Sequence, residues 1–192
     1  MASLVTYKYI KQNPDIMEYI QRADKTLEAM GYTEHSFPHV ERVAATSSMI
    51  LEHLGYDERT IELARIASIM HDIGKLKELS AFPANDYTDE GQLIGHIVTG
   101  TIMVDEKMKQ IAGFPETLAN ELKHCILSHH GELEYGSPKK PALIEAVALA
   151  FADNTDAKLE GFIEVLDGSQ DKSGNWLGFQ RMFDSNLRAT SR

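Results

Sequence analysis

A histidine and an aspartate stand side by side in the segment Ile69-Met70-His71-Asp72-Ile73-Gly74-Lys75. Apolar residues recur at helical spacing over residues 61–70, which predicts a helix with one buried face. An imidazole and a carboxylate at the inner end of such a helix are costly to bury unless they are paired or bound to a metal. Imidazole suits transition metals, and the two oxygens of Asp72 can bridge two ions. From this pair alone, however, a solvated helix end is the commoner explanation.

Further histidines and one more carboxylate lie near the ends of other predicted helices. They are His39, His96, His129, His130 and Asp153. Helical bundles build metal sites from side chains that project inward from facing helices. Divided between two ions that share Asp72, one ligand set is His39, His71, Asp72 and Asp153, and the other is Asp72, His96, His129 and His130. Mixed nitrogen and oxygen ligands favour manganese, iron, zinc, cobalt or nickel over calcium.

Such a cluster has a definite chemistry. Two metals about 3.5–4 Å apart, bridged by a carboxylate, can hold a hydroxide and clamp the oxygens of a phosphoryl group during in-line displacement. Lys75, about one turn beyond His71, would stabilise the developing charge, so Asp72 and Lys75 are the candidate catalytic residues. Five further residues are candidate substrate contacts, and each is equally compatible with turn chemistry or solvated surface. They are Ser80, Tyr87, Glu132, Ser137 and Lys158.

Six helices are predicted to position these residues. The first helix begins at Asn13-Pro14 and ends at Gly31, and the second covers residues 37–54. The third is capped by Asp57 and the fourth by Thr88. The fifth begins at Pro115, and the sixth covers residues 142–152. The inward face of the fourth includes Leu93 and Ile94, and Asp153 lies at the inner end of the sixth. From Leu159 onward a loop and a short packing helix are expected. Strand signals are nearly absent, which predicts one all-α helical bundle with a core at about 14–158 and a packing segment at 159–192.

Composition restricts the class of protein. A chain of 192 residues, 43% hydrophobic and 25% charged, is ordinary for one globular domain. The net charge of −10 argues against a large electrostatic footprint for long nucleic acid, although a local basic pocket stays open. The single cysteine, Cys125, excludes an internal disulfide and a thiolate zinc cluster, and it fits a reducing cytoplasm. No stretch has the length of a signal peptide or a membrane span, so a cytoplasmic location without a membrane is expected.

The chemistry-bearing residues also match a known pattern. His39, His71-Asp72 and Asp153 follow the H…HD…D order of the HD-domain superfamily of metal-dependent phosphohydrolases, which this chain resembles. The additional His96, the pair His129-His130, and Lys75 make it similar to the subset with a two-metal site, which includes the HD-GYP phosphodiesterases. The GYP signature itself is missing. The resemblance implies an α-helical fold, divalent metals and hydrolysis of phosphoester bonds.

A narrower resemblance covers about residues 71–158. The runs at 87–96, 128–138 and 153–158 are similar to the HD half of bacterial 3′-to-5′ exoribonucleases of the YhaM type. Those nucleases carry an OB-fold ahead of the HD domain to hold single-stranded RNA, and the segment before His39 is too short for one. The resemblance therefore implies the metal site and phosphodiester hydrolysis, and the expected substrate is a small nucleotide or short oligonucleotide.

The function predicted is a metal-dependent phosphohydrolase, specifically a phosphodiesterase that uses a metal-bridging hydroxide. Two alternatives stay open: a di-iron oxygenase, because some HD proteins with similar ligands activate dioxygen, and a non-catalytic nucleotide-binding module. His35 lies one turn before His39 and is either a ligand for a third metal or a surface imidazole. The number of metals and the oligomeric state are also open from sequence.

Overall fold

Helices make up most of the fold. The computed structural model describes residues 6–29, 37–80, 84–168 and 175–190. Its helices are α1 (Tyr7–Lys11), α2 (Pro14–Ala29), α3 (Phe37–His53), α4 (Glu58–Met70), α5 (Lys75–Glu78), α6 (Asp89–Leu93), α7 (His96–Lys109), α8 (Glu116–Ser128) and α9 (Ile144–Asp167). The strands are β1 (Trp176–Gln180) and β2 (Ser185–Arg188). The predicted all-α class is confirmed, whereas His35 and Gly31 lie outside the described residues.

Three of the predicted helix starts have the expected capping geometry. Asn13 Oδ1 accepts hydrogen bonds from the amides of Asp15 and Ile16 at 3.0 and 3.3 Å at the start of α2. The side chain of Asp57 accepts a hydrogen bond from the Thr60 amide at 2.9 Å at the start of α4. Thr88 Oγ1 accepts one from the Gly91 amide at 2.9 Å at the start of α6. Each bond satisfies an amide that has no partner within its helix, which is why these residue types stop the preceding turn and begin the helix.

The core forms where α3, α4 and α9 pack on one another and α8 packs against α7, α4 and α9. Val43, Ala67, Cys125, Ile126 and Leu149 are all buried there. Burial raises the pKa of the Cys125 thiol to about 12, so this side chain behaves as a small apolar core residue. The helices that pack in this core are also those that carry most of the candidate ligands.

Helix α9 is about twice as long as predicted. It extends to Asp167 instead of ending near residue 152, and Asp153 consequently lies inside the helix and not at its end. The polar run that follows Ala152 suggests a helix end in the sequence. In the structure Asn154, Thr155 and Lys158 are exposed while Asp153 and Asp156 face inward, so the helix continues with a polar inner face at the candidate site.

The predicted fourth helix is two helices, α6 and α7. Gly95 separates them with φ of +79°, a conformation that glycine adopts without strain. Leu93 is 85% exposed and Ile94 is 49% exposed, so the prediction that both belong to an inward apolar face is wrong. Because of this break, the candidate ligand His96 is the first residue of α7.

The loop and packing helix predicted after Leu159 is wrong as well. β1 and β2 form an antiparallel hairpin in which Phe179 pairs with Asn186 and Gln180 with Ser185. One buried leucine in each strand supplies the alternation that was too short to detect in the sequence. Phe183, in the turn between the strands, packs against Phe162 of α9 with ring centroids 5.6 Å apart.

In the described residues we find no helix with the length and apolarity needed to cross a lipid bilayer.

Gly74 is required by a close approach between two backbones. Its φ of −68° suits any residue, but an added Cβ would collide with the carbonyl oxygen of His96 and lie 2.6 Å from the Gly100 amide nitrogen. Because backbone atoms cannot rotate away as a side chain can, Gly74→Ala should lower the free energy of unfolding by about 3 kcal/mol, measured by urea denaturation.

Gly113→Ala is the matched control for this measurement. Gly113 has φ of +75° and nothing near the position of a Cβ, so alanine there adds only backbone strain of about 1 kcal/mol. A loss at Gly74 no larger than that at Gly113 would contradict the close approach of α5 to α7.

Candidate metal centre

All seven candidate ligands meet in one place. His39 comes from the first turn of α3, His96 from the first residue of α7, and Asp153 from α9, while the others directly follow α4 and α8. Three sets have ligand atoms within 4.8 Å of one another: His39, His71 and Asp153; His96, His129 and His130; and His71, Asp72 and His129. The third set lies between the other two because it shares one residue with each and adds Asp72.

Asp72 occupies the centre with its two oxygens turned to different neighbours. Oδ2 lies 3.4 Å from His71 Nε2 and 2.8 Å from Lys75 Nζ. Oδ1 lies 3.4 Å from His96 Nε2 and 3.7 Å from His129 Nε2. This is the disposition that a carboxylate needs in order to give one oxygen to each of two ions.

Asp153 is the second carboxylate of the cluster. Its Oδ1 lies 3.4 Å from His39 Nε2 and 3.6 Å from His71 Nε2. Helix α9 thus connects the histidine at the start of α3 with the one that follows α4. Together these three residues form the set on the side of Asp72 away from His96.

Several of the inward-facing atoms are buried without a hydrogen-bond partner. They are Nε2 of His71, His96 and His129, and Oδ1 of Asp72. An unpaired buried polar atom costs about 1–3 kcal/mol, so four such atoms directed at a common space would be strongly unfavourable if nothing lay between them. Imidazole nitrogens and carboxylate oxygens are ligands of divalent transition metals, and the residues present therefore fit such ions.

The outer nitrogens of three histidines are fixed by backbone carbonyls. The bonds run from Nδ1 of His71 to Ser68, of His129 to Ile126 and of His130 to Tyr135, at 2.7, 2.7 and 2.8 Å. A carbonyl oxygen can only accept, so Nδ1 must carry the proton in each ring. In the neutral imidazole the lone pair is then on Nε2, the atom that a metal would bind.

The other two histidines are held by carboxylates that sequence reasoning missed. Glu78 Oε1 accepts from both the backbone amide and the ring Nδ1 of His96, each at 3.0 Å. Asp156 Oδ2 accepts from Nδ1 of His39 at 2.7 Å, and Arg42 binds the same carboxylate through two nitrogens at 2.7 and 3.1 Å. Only their spacing could have indicated these two carboxylates in the sequence. Asp156 is one helical turn after Asp153, and Glu78 is one turn after Lys75.

The electrostatics of the cluster favour a cation. Burial opposes ionisation of Asp72, but Lys75 and His71 more than offset it and hold its pKa well below the usual range. The pKa of Asp153 is lowered in the same way, since the charge of His71 and a hydrogen bond from His39 outweigh burial. Both carboxyls are therefore anionic at neutral pH, and they concentrate negative charge where the ligand atoms converge.

The histidines respond to this charge differently. Burial lowers the pKa of His71, but Asp72 and Asp153 outweigh it and raise the value to about 10. Burial, with the nearby charge of His71, lowers the pKa of His129 to about 3. The two carboxylates therefore stabilise a positive charge beside them. In the absence of metal the proton of His71 supplies this charge, and a bound divalent ion would replace that proton.

The candidate substrate contacts are more scattered. Ser80 Oγ donates to the Asp86 carbonyl at 2.9 Å and accepts from the Asp86 amide at 3.1 Å, closing its own loop. Ser137 is buried, and its hydroxyl is engaged with the carbonyls of Leu127 and Lys139 at 3.1 and 2.8 Å. Both hydroxyls shape the backbone of a loop, which is the turn role that the sequence left open.

The remaining three candidates are exposed. Tyr87 pairs with Leu79 in an isolated β-bridge at the base of the loop that follows α5. Glu132 forms an ion pair with Lys140 at 2.5 Å. Lys158 lies on the solvent side of α9. The structure places none of these three among the ligand atoms.

Glu78 should affect metal affinity because it orients the ring of His96, and not because it contacts the substrate. Without its carboxylate the ring of His96 loses the acceptor that orients it, so Glu78→Ala should weaken metal affinity by about 10- to 100-fold, measured by titrating the metal-free protein in a calorimeter. Glu78→Gln keeps an accepting oxygen and should recover most of the affinity. Glu90→Ala removes an acidic side chain on the neighbouring α6 and should change nothing. Unaltered affinity in a folded Glu78→Ala protein would contradict this role.

Comparison with known proteins gives a consistent result. The model of the HD domain family matches residues 37–158 of this chain. The 3′-5′ exoribonuclease YhaM of Bacillus velezensis is 36% identical over 172 residues, covering 83% of this chain and 54% of that protein. The corresponding protein of Bacillus subtilis is 36% identical over 181 residues, with 87% and 56% covered. That of Oceanobacillus iheyensis is 44% identical over 123 residues, with 62% and 37% covered.

No solved structure matches significantly. The chain spans about half the length of the two Bacillus relatives. The match at 37–158 includes every histidine and carboxylate of the cluster. With its helices, its central His-Asp pair and this match, the chain belongs to the HD domain family of metal-dependent phosphohydrolases.

Proposed function

We propose that this chain is a phosphodiesterase that holds two divalent transition metals and hydrolyses a nucleotide or short oligonucleotide, preferably RNA. The observation that supports this most is the position of Asp72, whose two oxygens face two different groups of histidines. The relatives named as 3′-5′ exoribonucleases support the choice of a ribonucleotide substrate.

In this proposal the ligands divide into two sets that share Asp72. His39, His71, Asp72 and Asp153 would hold one ion, and Asp72, His96, His129 and His130 would hold the other. When bound, the metals would supply Lewis-acid activation of a water nucleophile and of the phosphoryl group. Manganese, iron, zinc, cobalt and nickel all suit this mixture of nitrogen and oxygen donors.

The protein's own residues would orient the reaction. Asp72 stays ionised because Lys75 lies 2.8 Å from its Oδ2, so its oxygens keep their negative charge at neutral pH. The ammonium of Lys75 adds a positive charge at the edge of the cluster, where it would stabilise charge that develops on the phosphoryl oxygens. Glu78 and Asp156 keep the rings of His96 and His39 in place.

The charge of the chain favours a short substrate. A net charge of −10 gives little general attraction for a long polyanion, so recognition would depend on the cluster and its surroundings. The relatives named as exoribonucleases are about twice as long as the matched region. The proposal for this chain therefore does not include the binding of long RNA. The di-iron oxygenase and the non-catalytic module are not favoured, because the named activity of the relatives is hydrolytic.

Removing Asp72 should remove both metal and activity. Asp72→Ala should lose most bound metal and lower kcat/KM for a short labelled oligoribonucleotide by about 10³-fold or more, because several kcal/mol of charge stabilisation disappear. Metal content by mass spectrometry and product release with added Mn²⁺ measure the two effects. Asp105→Ala is the control, since this acid pairs with Lys109 and Lys123 on other parts of the surface. Full hydrolysis by the Asp72 variant would refute the assignment.

Lys75 should affect turnover more than binding. Lys75→Met removes the positive charge at the edge of the cluster and should lower kcat by about 10²- to 10³-fold, with a smaller effect on KM. Lys77→Met is the matched control, because Lys77 is on the same short helix but exposed. If the two variants have the same kcat in steady-state assays, Lys75 has no part in the reaction.

A further inference from the structure

A cleft opens directly beside the metal centre. It lies between α9 and the loop at 131–141 and has a volume of about 260 Å³. His130 lines this cleft and also belongs to the cluster, where its ring centroid is 4.4 Å from that of His129 and 5.3 Å from that of His96. A ligand whose phosphate reached the cluster could therefore extend into the cleft.

One face of α9 forms a wall of the cleft. The lining residues Val147, Ala150, Phe151 and Asn154 are spaced by three and four, so they project from the same side of the helix. Phe151 is 64% exposed although it is a large apolar side chain. Asn154 directly follows the candidate ligand Asp153. The wall thus presents an aromatic ring and an amide next to the site of chemistry.

The opposite wall is a loop held in a defined conformation. Tyr135 ends a single 3-10 turn at Leu133–Tyr135, and its side chain is 62% exposed. Its carbonyl accepts the hydrogen bond from His130 Nδ1, which ties the loop to the cluster. The buried hydroxyl of Ser137 anchors the same loop to Leu127. Because the loop is fixed in this way, little conformational entropy would be lost when a ligand contacts Tyr135.

The charges in the cleft cancel. Glu132 and Lys140 both line it and pair with each other at 2.5 Å. Helix α9 contributes the neutral amide of Asn154, which can donate a hydrogen bond to the edge of a heterocycle and accept one from it. A lining with aromatic rings and no net charge suits a flat, uncharged ring better than a second phosphate.

We propose that this cleft binds the nucleobase of the nucleotide whose phosphate is held at the metal centre, with Phe151 and Tyr135 as stacking surfaces. The proposal rests on the proposed function and adds a base-binding subsite to it. Stacking of a base on an aromatic side chain is worth about five- to 150-fold in affinity and tolerates all four bases. The subsite would therefore favour nucleotides over other phosphate esters without selecting a sequence.

Two ligands that differ only by the base test the proposal. Adenosine 5′-monophosphate and ribose 5-phosphate are titrated by calorimetry into the metal-loaded protein. The wild type should bind adenosine 5′-monophosphate about ten-fold or more tightly than ribose 5-phosphate. In Phe151→Ala and in Tyr135→Ala this ratio should fall several-fold, while the affinity for ribose 5-phosphate and the metal content stay unchanged.

Leu159→Ala is the matched control for these variants. Leu159 is on α9 two turns beyond Phe151, is 59% exposed, and is not part of the cleft. Its truncation should leave the ratio at the wild-type value. Because Phe151 and Tyr135 are also mostly exposed, their truncation removes little from the core and the variants should remain folded.

The outcomes separate the subsite from the proposed function. Equal affinity of the wild type for both ligands, or a ratio that neither variant lowers, would overturn the subsite. A parallel assay follows hydrolysis of bis-p-nitrophenyl phosphate and a short oligoribonucleotide with Mn²⁺. Diester cleavage without base discrimination would overturn the subsite alone. Base discrimination that both variants lose, in a protein that cleaves neither diester, would support the nucleotide site and overturn the phosphodiesterase.

Discussion

The interaction on which the structure depends is the convergence of imidazole and carboxylate atoms in the interior of a helical bundle. His71, His129 and His39 are almost completely buried, and Asp72 and Asp153 remain anionic beside them. Such a group is unfavourable in an apolar interior unless a cation neutralises it. Helices from distant parts of the sequence must therefore end at or pass through the same point, and this requirement explains the long continuous α9 and the break before α7.

Helix ends perform two tasks in this arrangement. His71 and His129 are the residues that end α4 and α8, and each donates from Nδ1 to the carbonyl three residues earlier. The last carbonyls of a helix lack the usual amide partner four residues ahead, so the imidazole proton supplies a hydrogen bond to one of them. The same hydrogen bond turns the lone pair of Nε2 toward the cluster. At both positions, therefore, the same hydrogen bond caps the helix end and orients the candidate ligand.

The two remaining rings depend on longer-range contacts. Glu78 reaches His96 across the junction of α5 and α7, which is close because Gly74 has no side chain. Asp156 reaches His39 across the interface of α9 and α3, and Arg42 holds that carboxylate in place. The cluster and the aromatic cleft share His130, so metal binding, phosphate position and base recognition would meet at this residue. Membership of the HD domain family agrees with the cluster.

Residue types and local periodicity were enough to predict the all-α class and the caps at Asp57 and Thr88, because each of these depends on a few neighbouring positions. The seven candidate ligands were identified by their residue types near predicted helix ends and by their HD-domain order, and helix packing brings them together. Periodicity did not predict the length of α9 or the terminal hairpin, since an inward-facing polar run resembles a helix end and a short strand carries little pattern. The roles of Glu78 and Asp156 were also decided only by tertiary structure. Each carboxylate meets its histidine 18 or 117 residues away, and such pairs form only when helix packing brings the two backbones together.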